Sequence, residues 1–173
     1  SRPASGIRPG RNDLSTHFIP DRIMTPAKRL FDIAISLLLG VVLLPVILII
    51  AIAILVLDER PVFYISQRMQ TPRRAFDLVK FRTMKPAPTD SGVTGADKSD
   101  RITRTGHFLR RTRLDELPQI WNILRGDISF VGPRPPLRQY VERFPATYDA
   151  VLKSRPGVTG LASIIYHGHE EQL

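Results

Sequence analysis

An α+β fold is predicted: a re-entrant (monotopic) membrane helix broken near Pro45, followed by a small α/β head with short strands. Three observations predict it. Ile33 to Leu57 is a run of 25 residues without a charge. Cationic residues stand on both sides of that run, at Lys28 and Arg29 before it and at Arg60, Arg68, Arg73, Arg74 and Lys80 after it. Strand-like and helix-like segments separated by turn residues then alternate to the end of the chain. The division expected is a polar arm over 1–26, a re-entrant helix-hairpin over 27–58 and a head over 59–173.

The arm is rich in Arg, Pro and Gly and shows little helical periodicity. The apolar run exceeds the roughly 20 residues needed to cross a bilayer, is too long for a signal peptide and has no small-residue cleavage site after it. As a soluble helix it would be apolar on every side. Pro45 removes a backbone donor at its middle, which predicts a kink or break. Each half is then about 18 Å long, too short to cross alone. Excess positive charge marks cytoplasmic flanks, and here both flanks carry it. A helix that enters and returns to one face satisfies both; a straight span violates one.

After the anchor, Val62–Ser66 and Ala75–Lys80 read as short strands joined by a turn at Thr71–Arg74. Residues 85–100 are rich in Pro, Gly, Ser and Asp and read as a loop. Gly106–Arg113 reads as a short helix, and Asp115 as the cap of another running through Glu116 to Leu124. Ser129–Pro136 (SFVGPRPP) reads as irregular, Leu137–Arg143 as a helix, and Arg155–Gly160 (RPGVTG) as a glycine-rich turn.

The net charge is +9 and the pI about 10.6, with Arg supplying most of the cations. Such a balance calls for an anionic partner: nucleic acid, acidic lipid or a phosphorylated substrate. The chain has no Cys, which excludes disulfides and thiolate zinc sites.

Chemistry concentrates in Leu109–Asp127, LRRTRLDELPQIWNILRGD. Pro118 suits a first helical turn, which puts Asp115 at or next to the N-cap. Backbone N–H groups and the helix dipole there favour an ionised carboxylate. Beside Arg110, Arg111 and Arg113 such a group can attack phosphorus or hold Mg²⁺ together with Glu116. The plainer reading, a capping Asp with Glu116 on the first turn, stands beside it. Arg134 lies between prolines that restrict its backbone, Arg155 borders glycine-flanked amides able to form an anion nest, and Lys80 and Arg82 end a strand. Each of these is also readable as a solvated surface cation. His17, His107, His167 and His169 read as ordinary polar residues, and Trp121 as a packing or interface residue.

Five blocks together resemble the monotopic polyprenol-phosphate phosphoglycosyl transferases, also called bacterial sugar transferases. They are KRLFD (Lys28–Asp32), PVFYISQR (Pro61–Arg68), FDLVKFRTM (Phe76–Met84), the long segment Asp100–Pro136, and SRPGVTGLA (Ser154–Ala162). The resemblance implies a re-entrant helix broken near Leu44-Pro45, in the bacterial inner membrane with its head on the cytoplasmic face. It implies a Mg²⁺-dependent ping-pong transfer from a UDP-sugar donor to a polyprenol phosphate acceptor. The carboxylate matching Asp115 would attack the β-phosphate, release UMP and carry the phospho-sugar. Glu116 would complete an Asp-Glu dyad that is catalytic and holds the metal. Lys80, Arg110 and Arg134 match positions used around the phosphates; Arg82 and Arg155 join them as phosphate-binding candidates. After Ala162 this chain reads SIIYHGHEEQL where the family often has a Gln-Val-x-Gly-Arg-like stretch, so the donor sugar is left open. Partners implied are the two substrates and membrane lipid, with room for a homo-oligomer.

Two other readings compete. A membrane-tethered nucleic-acid-binding protein would use the positive charge, but no aromatics interleave the basic clusters and the acidic pair would repel a phosphate backbone. A catalytically silent assembly subunit would share the pattern yet release no UMP.

Overall fold

The structure, a computed structural model, describes residues 24–58, 60–85 and 101–160. The arm up to residue 23, most of the expected loop over 85–100 and the His167–His169 pair lie outside the described residues.

Helix α1 (Pro26–Leu57) is 32 residues long. Thr25 caps it, its hydroxyl accepting from the Lys28 amide at 3.3 Å, and Pro26 occupies the first turn, where a missing N–H costs nothing. The expected break at Pro45 is not a division into two helices: α1 passes through Pro45 as one element. Proline deletes a single donor, and the helical backbone continues on both sides of it. Asp32, Ser36, Ile50 and Ile54 are buried on this helix, a set spaced by four-residue and longer intervals that keep to one stripe. Most of the rest is exposed, Val41 and Val56 by 74% and 75%, with partly buried positions such as Ile47 and Ala51 beside the stripe. The most apolar 18-residue window has a mean hydropathy of 3.3 and is only 11% buried. A continuous exposed apolar surface of this length is unfavourable in water and suits hydrocarbon.

Both ends of α1 are tied to the same head. Near its start, Lys28 Nζ donates to the Val131 carbonyl at 3.0 Å. Arg29 donates to the carbonyls of Ile123 and Leu124 at 2.5 and 2.6 Å. Near its end, Ile50 and Ile54 pack with Phe81 and Leu109, and Thr103 donates to Asp58 Oδ2 at 3.0 Å.

Strands β1 (Phe63–Thr71) and β2 (Arg74–Phe81) form an antiparallel hairpin. Both expected strands are present, but β1 runs on to Thr71. Its extension buries Met69 against Val141 and Leu152, and Gln70 donates to the Asp127 carbonyl at 2.7 Å. Partners across the hairpin include Tyr64 with Lys80, Ser66 with Leu78 and Arg68 with Phe76. Opposed residues share a face, so Arg68, Leu78 and Lys80 project to one side of the ribbon. The outer edge of β2 is closed by Asn122, fully buried, which accepts from the Val79 amide at 3.0 Å and donates to the Asp77 carbonyl at 2.7 Å.

Helix α2 (Arg104–Thr112) starts at Thr103, whose hydroxyl accepts from the Gly106 amide at 2.9 Å. A Cβ at Gly106 would lie 2.1 Å from the Thr83 carbonyl oxygen, so only glycine lets α2 approach the end of the hairpin this closely. A 3₁₀ turn (Leu114–Glu116) follows, then helix α3 (Gln119–Arg125), which stops at Gly126 with φ +85°. Strand β3 (Ser129–Val131) pairs in parallel with β4 (Gly157–Thr159). Ser129–Pro136 is therefore not wholly irregular: its first three residues find a partner far along the chain, a pairing that local composition does not signal. Helix α4 (Arg138–Arg143) falls where a helix is predicted, and α5 (Pro145–Val151) is an element the sequence reading did not expect.

Candidate active site

The 3₁₀ turn is fixed from one side. Leu114 and Leu117 pack against the Ile50, Ile54, Phe81 and Leu109 cluster. Residues three apart eclipse in a 3₁₀ turn, so these leucines share the face toward α1. Asp115 and Glu116 lie between them. The acidic pair is thereby seated at the junction of the apolar helix and the head.

Asp115 is not the cap of α3, contrary to the sequence expectation. That helix begins four residues later, after Pro118, with no side-chain cap. Asp115 is 8% exposed, and its Oδ1 is buried without a protein partner. Burial pushes its pKa above the ordinary Asp value, and neighbouring Glu116 pushes the same way. Lys80, Arg110 and a backbone N–H pull it down but do not prevail. The expected cap would have favoured the anion; desolvation wins here because the turn is pinned against the core.

Glu116 is differently placed. Lys80 Nζ lies 2.7 Å from its Oε1, and Arg113 Nη1 lies 3.9 Å from the same atom. Arg113 reaches it from a left-handed residue, φ +58°, that closes α2. Arg110 is oriented by its Nε donating to Thr83 Oγ1 at 2.9 Å, and its charge acts on Asp115. The structure therefore brings together Lys80, Arg110, Asp115 and Glu116.

Beside them opens a cavity of about 400 Å³, lined by Arg68, Lys80, Arg113, Glu116, Gln119, Arg134 and Gly157–Thr159, among others. Arg134, flanked by prolines, is among the residues that line it. Arg68 and Gln119 were not singled out as site residues by the sequence reading, and Arg113 was read only as positive charge beside Asp115. The two-residue alternation that sets Arg68 on the Lys80 face was the available signal. Burial, and then the like charge of Arg134, depress the Arg68 pKa. Its Nε is steered by the Ser66 hydroxyl at 3.2 Å. Four cations around one carboxylate make a site for a polyanion.

Two candidates lie elsewhere. Arg82 is 6% exposed and donates to the Arg60 carbonyl at 2.7 Å, bracing the entry to the hairpin. Arg155 donates to the Gly126 carbonyl and stands with Arg29, Arg74 and Arg125. Nor is the expected anion nest open at Gly157, whose amide donates to the Pro133 carbonyl at 2.9 Å. A Cβ at Gly157 would sit 2.2 Å from the Gly132 nitrogen, so these glycines serve backbone packing. Trp121 is 58% exposed on α3.

Among the described residues there is no cluster of three or more acidic, His or Cys side chains that could hold a metal. The orphaned Asp115 Oδ1 and adjacent Glu116 offer one or two carboxylates, the donor number that Mg²⁺ takes when substrate phosphates and water complete its shell. The residues fit such an ion, with Glu116 shared between it and Lys80.

Comparison with known proteins gives a consistent result. The sequence model described as "Bacterial sugar transferase" matches residues 23–172. The chain is 39% identical over 141 residues to the UDP-glucose:undecaprenyl-phosphate glucose-1-phosphate transferase of Klebsiella pneumoniae, covering 79% of this chain and 30% of that protein. It is 34% identical over 155 residues to the UDP-N-acetylgalactosamine-undecaprenyl-phosphate N-acetylgalactosaminephosphotransferase of Aeromonas hydrophila, covering 87% and 36%. Against a UDP-glucose:undecaprenyl-phosphate glucose-1-phosphate transferase of Caulobacter vibrioides the identity is 37% over 141 residues, covering 79% and 53%. The chain thus spans between about a third and a half of the length of these relatives.

Proposed function

The chain belongs to the bacterial sugar transferase family, and from that premise we propose that it moves a sugar-1-phosphate from a UDP-sugar to undecaprenyl phosphate at a membrane. The observation that carries the proposal is the seating of the Asp115–Glu116 pair. One carboxylate is buried with an unpartnered oxygen and the other is held by Lys80, beside an arginine-lined cavity at the base of an apolar helix. A soluble phosphorylated donor and a lipid acceptor can meet only at such a junction.

In the proposed reaction an Asp115 carboxylate oxygen attacks the β-phosphorus of the donor. The bond from that phosphorus to the bridging oxygen breaks, and UMP leaves with the electron pair. A phosphate oxygen of the polyprenol then attacks the same phosphorus and expels the Asp115 carboxylate, giving the polyprenyl diphosphate sugar. Lys80 and Arg110 balance charge around the transferred phosphate, and Arg134, with Arg68 across the cavity, holds the phosphate oxygens of the departing UMP. Mg²⁺, held by Asp115 and Glu116, would supply further neutralisation of the diphosphate. The raised Asp115 pKa suits a carboxyl whose negative charge is expressed when the surrounding cations answer it. Two carboxylates, one desolvated and one ion-paired, divide the roles of nucleophile and proton or metal partner. The experiment is a screen of UDP-sugars with undecaprenyl phosphate in detergent, reading UMP. At least one donor is expected to release UMP; none doing so would favour the silent-subunit reading.

We further propose that α1 is re-entrant, in the bacterial inner membrane, with the head in the cytoplasm. Support comes from the attachment of both helix ends to one head and from the cationic residues on both flanks. Cysteines introduced by Ser15→Cys and Ser91→Cys in this Cys-free chain are expected to resist an impermeant thiol reagent in intact cells. Both should react after permeabilisation. Labelling of the Ser15→Cys variant alone in intact cells would show that α1 spans the bilayer instead.

A further inference from the structure

A second opening, about 330 Å³, is lined by Met24, Arg29, Arg74, Arg125, Gly126 and Arg155 at the N-terminal base of α1. It shares no lining residue with the cavity beside Glu116. Four guanidiniums from separate parts of the chain converge there: α1, the start of β2, the end of α3 and the segment before β4. Two are anchored by carbonyls at the end of α3, Arg29 through Ile123 and Leu124 and Arg155 through Gly126. Both guanidiniums lie close against Gly126. A Cβ there would stand 3.2 Å from Arg155 Nη1 and 3.4 Å from the Arg29 guanidinium.

The positive charge is not fully answered by the described residues. Among the described residues the carboxylates acting here are Asp127, 3.5 Å from Arg125 Nε, and buried Asp32. Four cations face two anions. Burial, and after it the like charges of Arg29 and Arg74, lower the Arg155 pKa. Carbonyl oxygens orient guanidiniums but carry no net charge, so the excess remains.

Position along α1 selects the class of anion. Arg29 stands four residues before the uncharged run begins at Ile33, about 6 Å along a helix axis. The headgroup zone on each side of a bilayer is about 5–8 Å deep. On the same turn Leu30 and Phe31, the next two residues of α1, are 70% and 61% exposed. We propose that this opening binds the phosphate of an anionic membrane phospholipid, whose acyl chains run along α1 past Leu30 and Phe31. The inference rests on the membrane reading of α1 and not on the reaction assigned to Asp115. The lipid would fix the height of the head relative to the bilayer, and with it the level at which the Asp115–Glu116 pair meets a lipid acceptor.

Native mass spectrometry of the detergent-purified chain tests this, with equimolar phosphatidylglycerol and phosphatidylcholine added and with inorganic phosphate in a separate arm. The wild type is expected to retain one phosphatidylglycerol in preference to phosphatidylcholine, unaffected by phosphate. The double variant Arg74→Gln/Arg125→Gln is expected to lose retention about fivefold for each guanidinium, while its thermal midpoint stays at the wild-type value. Asp115→Asn should keep the preference, which separates a failure here from a failure of the catalytic assignment. Equal retention by the double variant and the wild type overturns the proposal. So does the absence of any preference between the lipids, or displacement of the lipid by inorganic phosphate, which would make the opening a free-phosphate site.

Discussion

Asp115→Asn is expected to abolish UMP release and product formation while making the protein more stable at neutral pH. The kinetic half follows from the proposed role: an amide oxygen cannot replace the carboxylate as nucleophile. Loss of an attacking group costs on the order of 10⁴-fold or more in rate. The stability half follows from the site itself. Folding raises the Asp115 pKa because the carboxyl is buried, so ionisation costs native stability. The unfolded chain loses its proton near pH 4 and the native chain at higher pH. The cost is therefore absent below about pH 4, grows as pH rises through the native pKa and is complete above it. Asn removes that cost. In detergent without donor or metal, the variant should melt above wild type at pH 7, by about 2–4 °C for each kcal/mol recovered. The gap should close as pH falls toward 4. A variant that melts below wild type at pH 7, or keeps near-normal turnover, would contradict the assignment. For the wild type, kcat/KM should rise with pH through a limb above the ordinary carboxylate range, since the reacting form is the anion.

Arg134→Ala should lower kcat by about a hundredfold, equivalent to about 3 kcal/mol, with a smaller effect on KM. Pro133 and Pro135 restrict its backbone, so its guanidinium is preset beside the cavity that also holds Arg68 and Glu116. Gain concentrated in the transition state appears in kcat. Arg134→Lys should rescue little, because an ammonium point charge lacks the bidentate fork. If Arg134 only held the head to anionic lipid, Lys would serve as well and the defect would vanish in neutral micelles. Full activity of Arg134→Lys in such micelles would remove Arg134 from the active site.

Much of this architecture was legible because it is written locally. An uncharged run of 25 residues declares α1, and the two-residue alternation around a Thr-Pro-Arg-Arg turn declares the hairpin. Lys80, Arg110, Asp115, Glu116 and Arg134 were readable because their motif context is local too. What failed to show depends on long-range contacts. Asp115 looked like a cap because Pro118 marked a helix start. Packing of Leu114 and Leu117 on α1 instead wound the preceding residues into a 3₁₀ turn and buried the carboxyl. Arg82 and Arg155 carry the same charge as Arg134, and only tertiary structure shows that the Arg60 and Gly126 carbonyls take them. Arg68 was passed over as one flanking cation among several, although its register with Lys80 puts it at the cavity. Pairing of β3 with β4 joins residues 28 positions apart, Ser129 and Gly157, which no local pattern encodes. Pro45 marked a kink or break, and the helix runs through it as a single element, because only one donor is lost.

In the proposed mechanism Asp115 becomes covalently bound to a phospho-sugar. Its most direct test is intact-mass measurement of the purified chain incubated with an active UDP-sugar and Mg²⁺ in the absence of any polyprenol phosphate. The wild type should gain the mass of one phospho-sugar, with one equivalent of UMP released. Peptide mapping should place the adduct on Asp115, added undecaprenyl phosphate should discharge it, and Asp115→Asn should form none. UMP release only when acceptor is present, with no adduct on the wild-type chain under any of these conditions, would mean direct transfer between the two substrates and would contradict the account.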